Sequence, residues 1–357
     1  MVKVLGVDVH KGSHTVVAVD EAGRQVAQKT VRATDAGHRQ LVRWSRQLGS
    51  VDRWAVEDCR HVSGRLERAL LAAGEAVVRV PPKLMAGARA GGRTPGKSDP
   101  VDALAVARAA LREPDLPIAC HDGPSRVVKL LVDRRDDLVG ERVRAQNRLR
   151  WHLHELDPGL DPPARALNST KELDRLAGWL DGYHTEAPGE SALPLVARLA
   201  ADIIADIRGL TVRINALEHE VTTLVRGLAP QLLQLPGCGP LTAAKLLGET
   251  AGIGRFRHEA RFAMHAGVAP IPASSGKTNR HRLARGGNRQ LNVALHRIAV
   301  TQVRLDGLGR TYYQRRRAGG DTTMEALHAL KRRLARVVFN LLQDHQPAQP
   351  DLLPAAA

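Results

Sequence analysis

The chain has 357 residues, 43% of them hydrophobic, and a formal net charge of +16 at pH 7. This hydrophobic content excludes an intrinsically disordered chain, and the lack of any apolar run near 18 residues excludes a membrane-spanning helix. The length allows two or three domains. The opening sequence M-V-K-V-L-G-V-D has no signal-peptide pattern, so we expect a cytoplasmic protein that does not bind membranes.

The first 122 residues alternate between strand and helix patterns. The predicted elements are, in chain order, strands over 2–9, 14–20 and 25–32, a helix over 36–48, a strand ending at Glu57, a helix over 62–73 and a strand over 76–80. Three hairpin-linked strands followed by alternating helices and strands predict an α/β fold of the ribonuclease H (RuvC-like) type. Glycines between Gly87 and Gly96 predict a mobile loop before a helix that begins at Asp99.

Four carboxylates are placed by these elements. Asp8 lies in the first strand, Glu57 closes a later one, and Asp99 and Asp102 lie three residues apart at the start of a helix. Acids on two strands and on one helical face can converge. Carboxylate oxygens are the ligands that Mg²⁺ or Mn²⁺ prefers, and two such ions about 4 Å apart can clamp a phosphodiester. The pattern predicts a metal-dependent enzyme that acts on nucleic acid.

Other polar residues near these acids are weaker candidates. Lys97 directly precedes the Asp99 helix and is a candidate phosphate contact, which Arg93 could join. Four histidines could assist catalysis, but an ordinary hydrogen-bonded role is favoured for each: His10, His61, His265 and His281.

Long helices are predicted from residue 123, beginning with one over 125–156. Apolar residues then step by three and four along a coiled-coil seam of Ile207, Leu210, Ile214, Leu217, Val221, Leu224 and Leu228. Two interpretations stay open. The seam could join subunits into a homodimer or homotetramer, which we favour, or it could form an antiparallel hairpin within one chain.

The sequence L-P-G-C-G-P-L-T-A predicts a helix-hairpin-helix motif. Gly237 and Gly239 would let the backbone approach a phosphate at a helix N-terminus, although a plain loop-to-helix turn is the alternative. A loop over 266–287 and helices over 288–304 and 322–344 follow. The expected domains are a catalytic domain over 1–122, a helical and dimerisation region over 123–229, a mainly helical C-terminal domain over 230–345 and a disordered tail over 346–357.

Positive charge is concentrated near the C-terminus. Residues 251–340 hold 18 Lys and Arg but only 4 Asp and Glu, which is typical of a surface that binds a polyanion. Part of this charge surrounds Ser274 and Ser275, in the form of Lys277, Arg280, Arg282, Arg285 and Arg289. Such a cluster would hold phosphate and stabilise charge on a transferring phosphoryl group. Only 3% of residues are aromatic, which argues against a single-strand binder that relies on base stacking.

Five motifs in order resemble the DEDD-type transposases of bacterial insertion sequences: G-V-D-V-H-K, the strand ending at Glu57, K-S-D-P-V-D-A, L-P-G-C-G-P-L-T-A and A-G-V-A-P-I-P-A-S-S-G-K-T. The resemblance implies a RuvC-like catalytic domain with Asp8, Glu57, Asp99 and Asp102 as its acids. It also implies a nucleophilic serine, for which Ser275 is favoured over Ser274 because it directly precedes Gly276. The expected partners are donor DNA, target DNA and a structured guide RNA.

Two other functions are compatible with parts of this pattern. A Holliday-junction resolvase would use the four acids and water without the serine. A non-catalytic nucleic-acid-binding protein would need neither. The presence of all four acids argues against the second alternative, and the long C-terminal region with its own Ser-Ser-Gly argues against the first.

Overall fold

The computed structural model describes residues 2–90, 98–113, 116, 118–119, 123–163, 165–185, 192–273, 281–284 and 286–344. The chain divides into two compact units between Asp122 and Gly123. The first unit is built on a five-stranded mixed sheet, and the second is mainly helical. The predicted α/β N-terminal domain and mainly helical C-terminal region are confirmed. The predicted tail over 346–357 lies outside the described residues.

In its described part the first unit has these elements in order: β1 (Val4–Val9), β2 (Ser13–Val19), β3 (Gln25–Arg32), α1 (Asp35–Gln47), β4 (Arg53–Glu57), α2 (Arg60–Ala72), β5 (Val77–Val80), α3 (Pro82–Ala90) and α4 (Asp99–Arg112). All predicted strands and helices up to Val80 lie within two residues of their expected bounds. Local signals explain this agreement. The Thr34 side chain, for example, caps α1 by accepting a hydrogen bond from the Gly37 backbone N–H at 3.2 Å.

The sheet order is β3-β2-β1-β4-β5, in which β1 pairs antiparallel with β2 and parallel with β4. Strand β2 pairs antiparallel with β3, and β4 pairs parallel with β5. Leu5, Val7 and Val9 belong to the core beneath α1 and α2. Val4 belongs to the core beneath α3 and α4. Because side chains alternate along a strand, the even-numbered residues of β1 face α4.

Helix α4 lies directly on β1 at Gly6. A Cβ atom on Gly6 would lie 2.2 Å from the Ala103 carbonyl oxygen and 2.5 Å from the Ala107 backbone nitrogen. Real Cβ atoms do not approach backbone atoms so closely. Glycine at this position therefore sets the distance between the sheet and the helix.

The predicted loop over Gly87–Gly96 is wrong in its first four residues, because α3 continues to Ala90. Pro82 suits the first turn of a helix, and Met85 and Ala88 are buried in the core that α3 shares with α4. This tertiary packing outweighs the helix penalty of Gly87. Residues 91–97 lie outside the described part of the chain.

The second unit has, in the part that the structure describes, α5 (Pro124–Leu156), α6 (Thr170–Leu180), α7 (Leu193–Leu228), α8 (Pro230–Leu233), α9 (Pro240–Thr250), α10 (Glu259–His265), β6 (Pro270–Pro272), β7 (His281–Leu283), α11 (Arg289–Arg304), α12 (Leu308–Ala318) and α13 (Thr323–Gln343). Within the predicted loop over 266–287, β6 and β7 form an antiparallel pair. No helix in the described residues is both long and apolar enough to cross a membrane.

Helices α5 and α7 form an antiparallel hairpin within the chain. The Arg135 guanidinium donates to Glu218 Oε1 at 2.9 and 2.6 Å, and Arg142 Nη1 donates to Thr211 Oγ1 at 3.2 Å. From the first contact to the second, the residue number rises by seven on α5 and falls by seven on α7, as it must when two helices run antiparallel. This is the hairpin interpretation of the seam.

Burial along the seam alternates. Ile207, Ile214 and Val221 are fully buried, whereas Leu210, Leu217 and the next seam residue, Leu224, are only half-buried. The hairpin therefore covers one row of the seam and leaves the other partly open. A contact between subunits through this row stays a prediction.

Helix α6 was not predicted from the sequence; it buries Leu173, Leu176 and Leu180 in the core at the α5–α7 hairpin. Their spacing of three and four was a usable helical signal. At the other end of the hairpin, a single core joins α5 and α7 to α9, α11 and α13. The expected domain boundary between 229 and 230 stays a prediction, and the buried core continues across it.

A Gly6→Ala variant tests the contact between β1 and α4. We expect it to lower the free energy of unfolding by about 1–3 kcal/mol or more, because the added methyl group must displace helix backbone. Gly64→Ala in α2 is the matched control, since its Cβ would meet only the Arg68 Nη1 atom at 3.7 Å. Urea unfolding of both variants measures the difference, and equal stability would contradict the packing argument.

Candidate active site

The predicted site residues Asp8 and Glu57 lie on neighbouring parallel strands. Residues 4 and 7 of β1 pair with residues 53 and 56 of β4, so the same register extended by one residue places Asp8 opposite Glu57. Asp8 shares a strand face with Gly6, and Glu57 shares one with Ala55, which belongs to the core beneath α4. Both acids therefore face α4. Asp8 is buried, at 3% exposure, and Glu57 is half-buried.

Helix α4 supplies the other two acids from its first turn. Ser98 is the N-cap residue, Asp99 and Asp102 follow within that turn, and Asp102 is buried. A helix N-terminus carries a partial positive charge, which favours carboxylates at this position. The contact at Gly6 fixes α4 on β1 and so brings this turn to the end of the strand that carries Asp8.

His10 also belongs to the cluster. Its Nε2 atom lies 3.1 Å from Asp8 Oδ2 and 3.4 Å from Asp99 Oδ1. Side-chain oxygen or nitrogen atoms of Asp8, His10 and Asp99 all lie within 4.8 Å of one another. The sequence signal for His10 was its position two residues after Asp8, which places both side chains on one face of an extended chain.

The cluster brings several negatively charged carboxylates close together, which affects the pKa of Asp8. Burial raises the pKa of Asp8, the nearby Asp102 and Asp99 raise it further, and His10 acts in the opposite direction. Burial also raises the pKa of the Cys59 thiol to about 12, with Glu57 and Asp8 among the acids that add to the effect. Acids on both β1 and β4 thus raise the pKa of this one thiol. A cation would relieve this repulsion.

The donor set fits a divalent metal ion. Ligands about 2.1 Å from an octahedral ion stand about 3 Å apart, and the contacts of His10 Nε2 with the two carboxylates are close to this spacing. Asp8, Asp99 and His10 are the residues that would hold the ion first. Asp102 lies close enough to influence the pKa of Asp8, and Glu57 lies on the same face of the sheet.

The predicted serine site is only partly described. Strands β6 and β7 pair through Pro272 and His281, so residues 273–280 connect two adjacent strands. Seven predicted residues lie outside the described part: Ser274, Ser275, Lys277, Arg280, Arg285, Lys97 and Arg93. Arg282 lies on β7, and Arg289 is exposed at the start of α11. Their roles stay predictions.

Gly267 and Gly287 lie close together at the two ends of the segment that contains β6 and β7. A Cβ atom on Gly287 would lie 2.3 Å from the Gly267 backbone nitrogen, and Gly267 has a φ of +66°. Asn292 on α11 donates its side-chain N–H to the Gly267 carbonyl oxygen at 2.8 Å and accepts a bond from the buried Lys331 at 2.6 Å. Buried polar contacts thus fix the base of this segment on α11 and α13.

The two glycines of the predicted helix-hairpin-helix motif differ in their surroundings. Gly237 has a φ of +86°, and a Cβ there would lie 2.9 Å from Thr301 Cβ on α11. The need for glycine at this position thus follows from backbone conformation and packing. Gly239 is the N-cap of α9, and a Cβ there would meet no atom within 4 Å. A phosphate contact at either glycine stays a prediction.

Comparison with known proteins identifies the family of this chain. Residues 5–158 match a family of transposases described as the DEDD type of IS110, and residues 229–314 match the family described as "Transposase IS116/IS110/IS902 family". The chain is 30% identical to the uncharacterized 44.8 kDa protein of insertion element IS116 from Streptomyces clavuligerus, over 97% of this chain and 96% of that protein. The chain belongs to the IS110 family of transposases.

Two further relatives align over nearly their whole lengths. The uncharacterized 42 kDa protein of insertion element IS900 from Mycobacterium paratuberculosis is 27% identical, over 99% of this chain and 98% of its own. The uncharacterized 43.6 kDa protein of insertion element IS110 from Streptomyces coelicolor is 29% identical, over 95% and 94%. The first family match contains the four acids, and the second contains Ser274 and Ser275.

An Asp8→Asn variant tests the electrostatic strain. The raised pKa means that ionised Asp8 destabilises the metal-free fold, so wild-type stability falls as pH rises above the ordinary carboxyl value of 3.8. Without metal, we expect the variant to have the higher melting temperature at neutral pH and to lose stabilisation by added Mn²⁺. The exposed Glu21→Gln is the charge-matched control. A variant less stable than wild type across the pH range would contradict this.

Proposed function

We propose that this IS110-family transposase excises and inserts its element by metal-dependent cleavage and rejoining of DNA, with the four acids in one unit and a serine in the other as its catalytic groups. The observation that carries the proposal is the convergence of Asp8, Asp99 and His10 at the end of β1, beside Asp102 and on the sheet face of Glu57.

The sheet supports the ribonuclease H (RuvC-like) assignment. Three antiparallel strands in the order β3-β2-β1, followed by parallel β4 and β5, with helices on both faces, are the arrangement expected of that fold. The candidate acids lie where such a fold would hold them, on the central strand, on its parallel neighbour and on the helix packed above.

The acids would hold Mg²⁺ or Mn²⁺, which would polarise a phosphodiester and stabilise the charge that develops during displacement. Burial and its acidic neighbours raise the pKa of Asp8, so a cation beside it would favour its ionised form. The acid cluster would therefore bind the ion and position it.

The serine would form the covalent link to DNA. Its hydroxyl oxygen would bond to phosphorus as the bond from phosphorus to a sugar oxygen breaks, and the hydroxyl proton would finally reside on the released sugar oxygen. Ser275 is favoured over Ser274. In the chain, both residues come after β6 and before β7, two paired strands that Gly267 and Asn292 connect to α11. Lys277, Arg280, Arg282 and Arg285 would bind phosphate there.

Further partners follow from the resemblance and the charge distribution. The basic surface suits donor DNA, target DNA and a structured guide RNA, and the half-buried row of the seam suits a homodimer or homotetramer. The alternative function is a resolvase-like endonuclease in which water replaces the serine. The second unit favours the transposase, since its family match spans the serine segment.

A covalent adduct distinguishes the two mechanisms. Cells would carry a plasmid with the protein's own element and flanking DNA, and DNA recovered under denaturing conditions would be probed for attached protein. We expect an adduct with wild type and with Ser274→Ala, and its loss with Ser275→Ala and with Asp8→Asn. Strand cleavage by wild type without any adduct would instead support the endonuclease.

Exposed arginines of α11 test the basic surface. Deletion of the basic segment is unsuitable, because α11 and α13 share a core with α5 and α7. Arg297→Gln with Arg304→Gln removes two exposed charges, and we expect weaker binding to duplex DNA and a salt slope reduced by up to about two. Arg39→Gln with Arg43→Gln on exposed positions of α1 is the control. Equal effects of both pairs, by fluorescence anisotropy, would place the surface elsewhere.

A further inference from the structure

His10 is positioned by the tight turn between β1 and β2. Its backbone N–H donates to the Ser13 carbonyl oxygen at 2.9 Å, and Ala33 donates to the Gly12 carbonyl oxygen at 3.0 Å, so the turn is anchored at both ends. The side chain is half-exposed, at 53%, while its Nε2 atom points to the carboxylates. The ring can therefore reach both the buried acid and solvent.

The contacts of Nε2 are unusual for a simple hydrogen bond. A neutral imidazole nitrogen carries at most one proton and serves one acceptor well. Here the same nitrogen faces Asp8 Oδ2 at 3.1 Å and Asp99 Oδ1 at 3.4 Å. One nitrogen directed at two carboxylate oxygens is the arrangement expected of three ligands around a shared cation.

The burial of the cluster also favours a cation. Asp8 and Asp102 are buried, whereas the side chains of Asp99 and His10 are half-exposed. Carboxylates taken out of water need a counter-charge or hydrogen bonds beside them. An unprotonated imidazole nitrogen offers a lone pair, which suits a ligand of a divalent ion.

We propose that His10 Nε2 is a direct ligand of the divalent ion, together with Asp8 and Asp99. This inference rests on the proposed metal-dependent function and names a ligand outside the four acids. Imidazole binds transition metals far better than it binds Mg²⁺. The site accordingly discriminates in favour of Mn²⁺ more strongly than four carboxylates would.

Electron spin echo envelope modulation of the Mn²⁺-loaded protein tests the ligand directly. Directly bound imidazole produces a nitrogen-14 modulation, which we expect in wild type and in His219→Ala, an exposed histidine of α7. We expect its loss in His10→Ala. An unmodulated wild-type signal, or a modulation that persists in His10→Ala, would overturn the proposal.

Calorimetric titration of the full chain with metal alone gives a second readout. His10→Ala should weaken Mn²⁺ binding by at least the roughly 10–100-fold that loss of an outer-shell partner costs, and Mg²⁺ binding less, so that the ratio of the Mn²⁺ to the Mg²⁺ affinity falls. If His10 were only a protonated counter-charge, its removal would strengthen metal binding, and this result would overturn the proposal, as would an unchanged affinity.

Asp8→Asn separates this inference from the proposed function. If Asp8→Asn lost binding of both metals and His10→Ala bound them unchanged, the carboxylate site would be supported and only the role of His10 would be rejected. Undiminished binding in Asp8→Asn would reject the carboxylate site itself, and the role of His10 with it.

Discussion

The close packing of α4 on β1 is the contact on which the candidate active site depends. Gly6 has no side chain, so the helix backbone at Ala103 and Ala107 can lie against the strand. That contact places the first turn of α4, with Asp99 and Asp102, beside the end of β1 that carries Asp8. Strand alternation does the rest, because Asp8 lies two residues after Gly6 and therefore faces the same helix.

This arrangement costs stability in the absence of metal. Burial and two neighbouring acids raise the pKa of Asp8, and His10 offsets only part of the effect. The surrounding unit tolerates the strain because it is well packed on both faces of the sheet, with Trp54, Leu66 and Leu70 fully buried on the side away from α4. A buried ion pair between Arg79 and Glu67, at 2.7 Å, further ties β5 to α2. A bound cation would relieve the repulsion between the carboxylates, and this relief would strengthen metal binding.

In the second unit, too, a well-packed apolar core lies beneath a charged surface, which here is basic. Its core runs from the α5–α7 hairpin through α9, α11 and α13, so the arginine-rich helices are supported by apolar contacts on their inner faces. Arg297 and Arg304 are exposed on α11, away from the core. The paired ends of the serine segment, Gly267 and Gly287, are held to this core through Asn292 and Lys331.

The sequence by itself determined the elements of the first unit other than α3, the positions of the four acids on them and the family, because alternation, caps and short motifs are local signals. It did not reveal that Pro82–Ala90 is helical, that the buried row of the Ile207–Leu228 seam packs on α5, or that Gly237 packs against Thr301. Nor did it distinguish His10 from three other histidines. Each of these depends on which distant residue lies opposite, and only the tertiary structure decides that, since the partner of a side chain across a sheet or hairpin leaves no mark on its own neighbours in the chain.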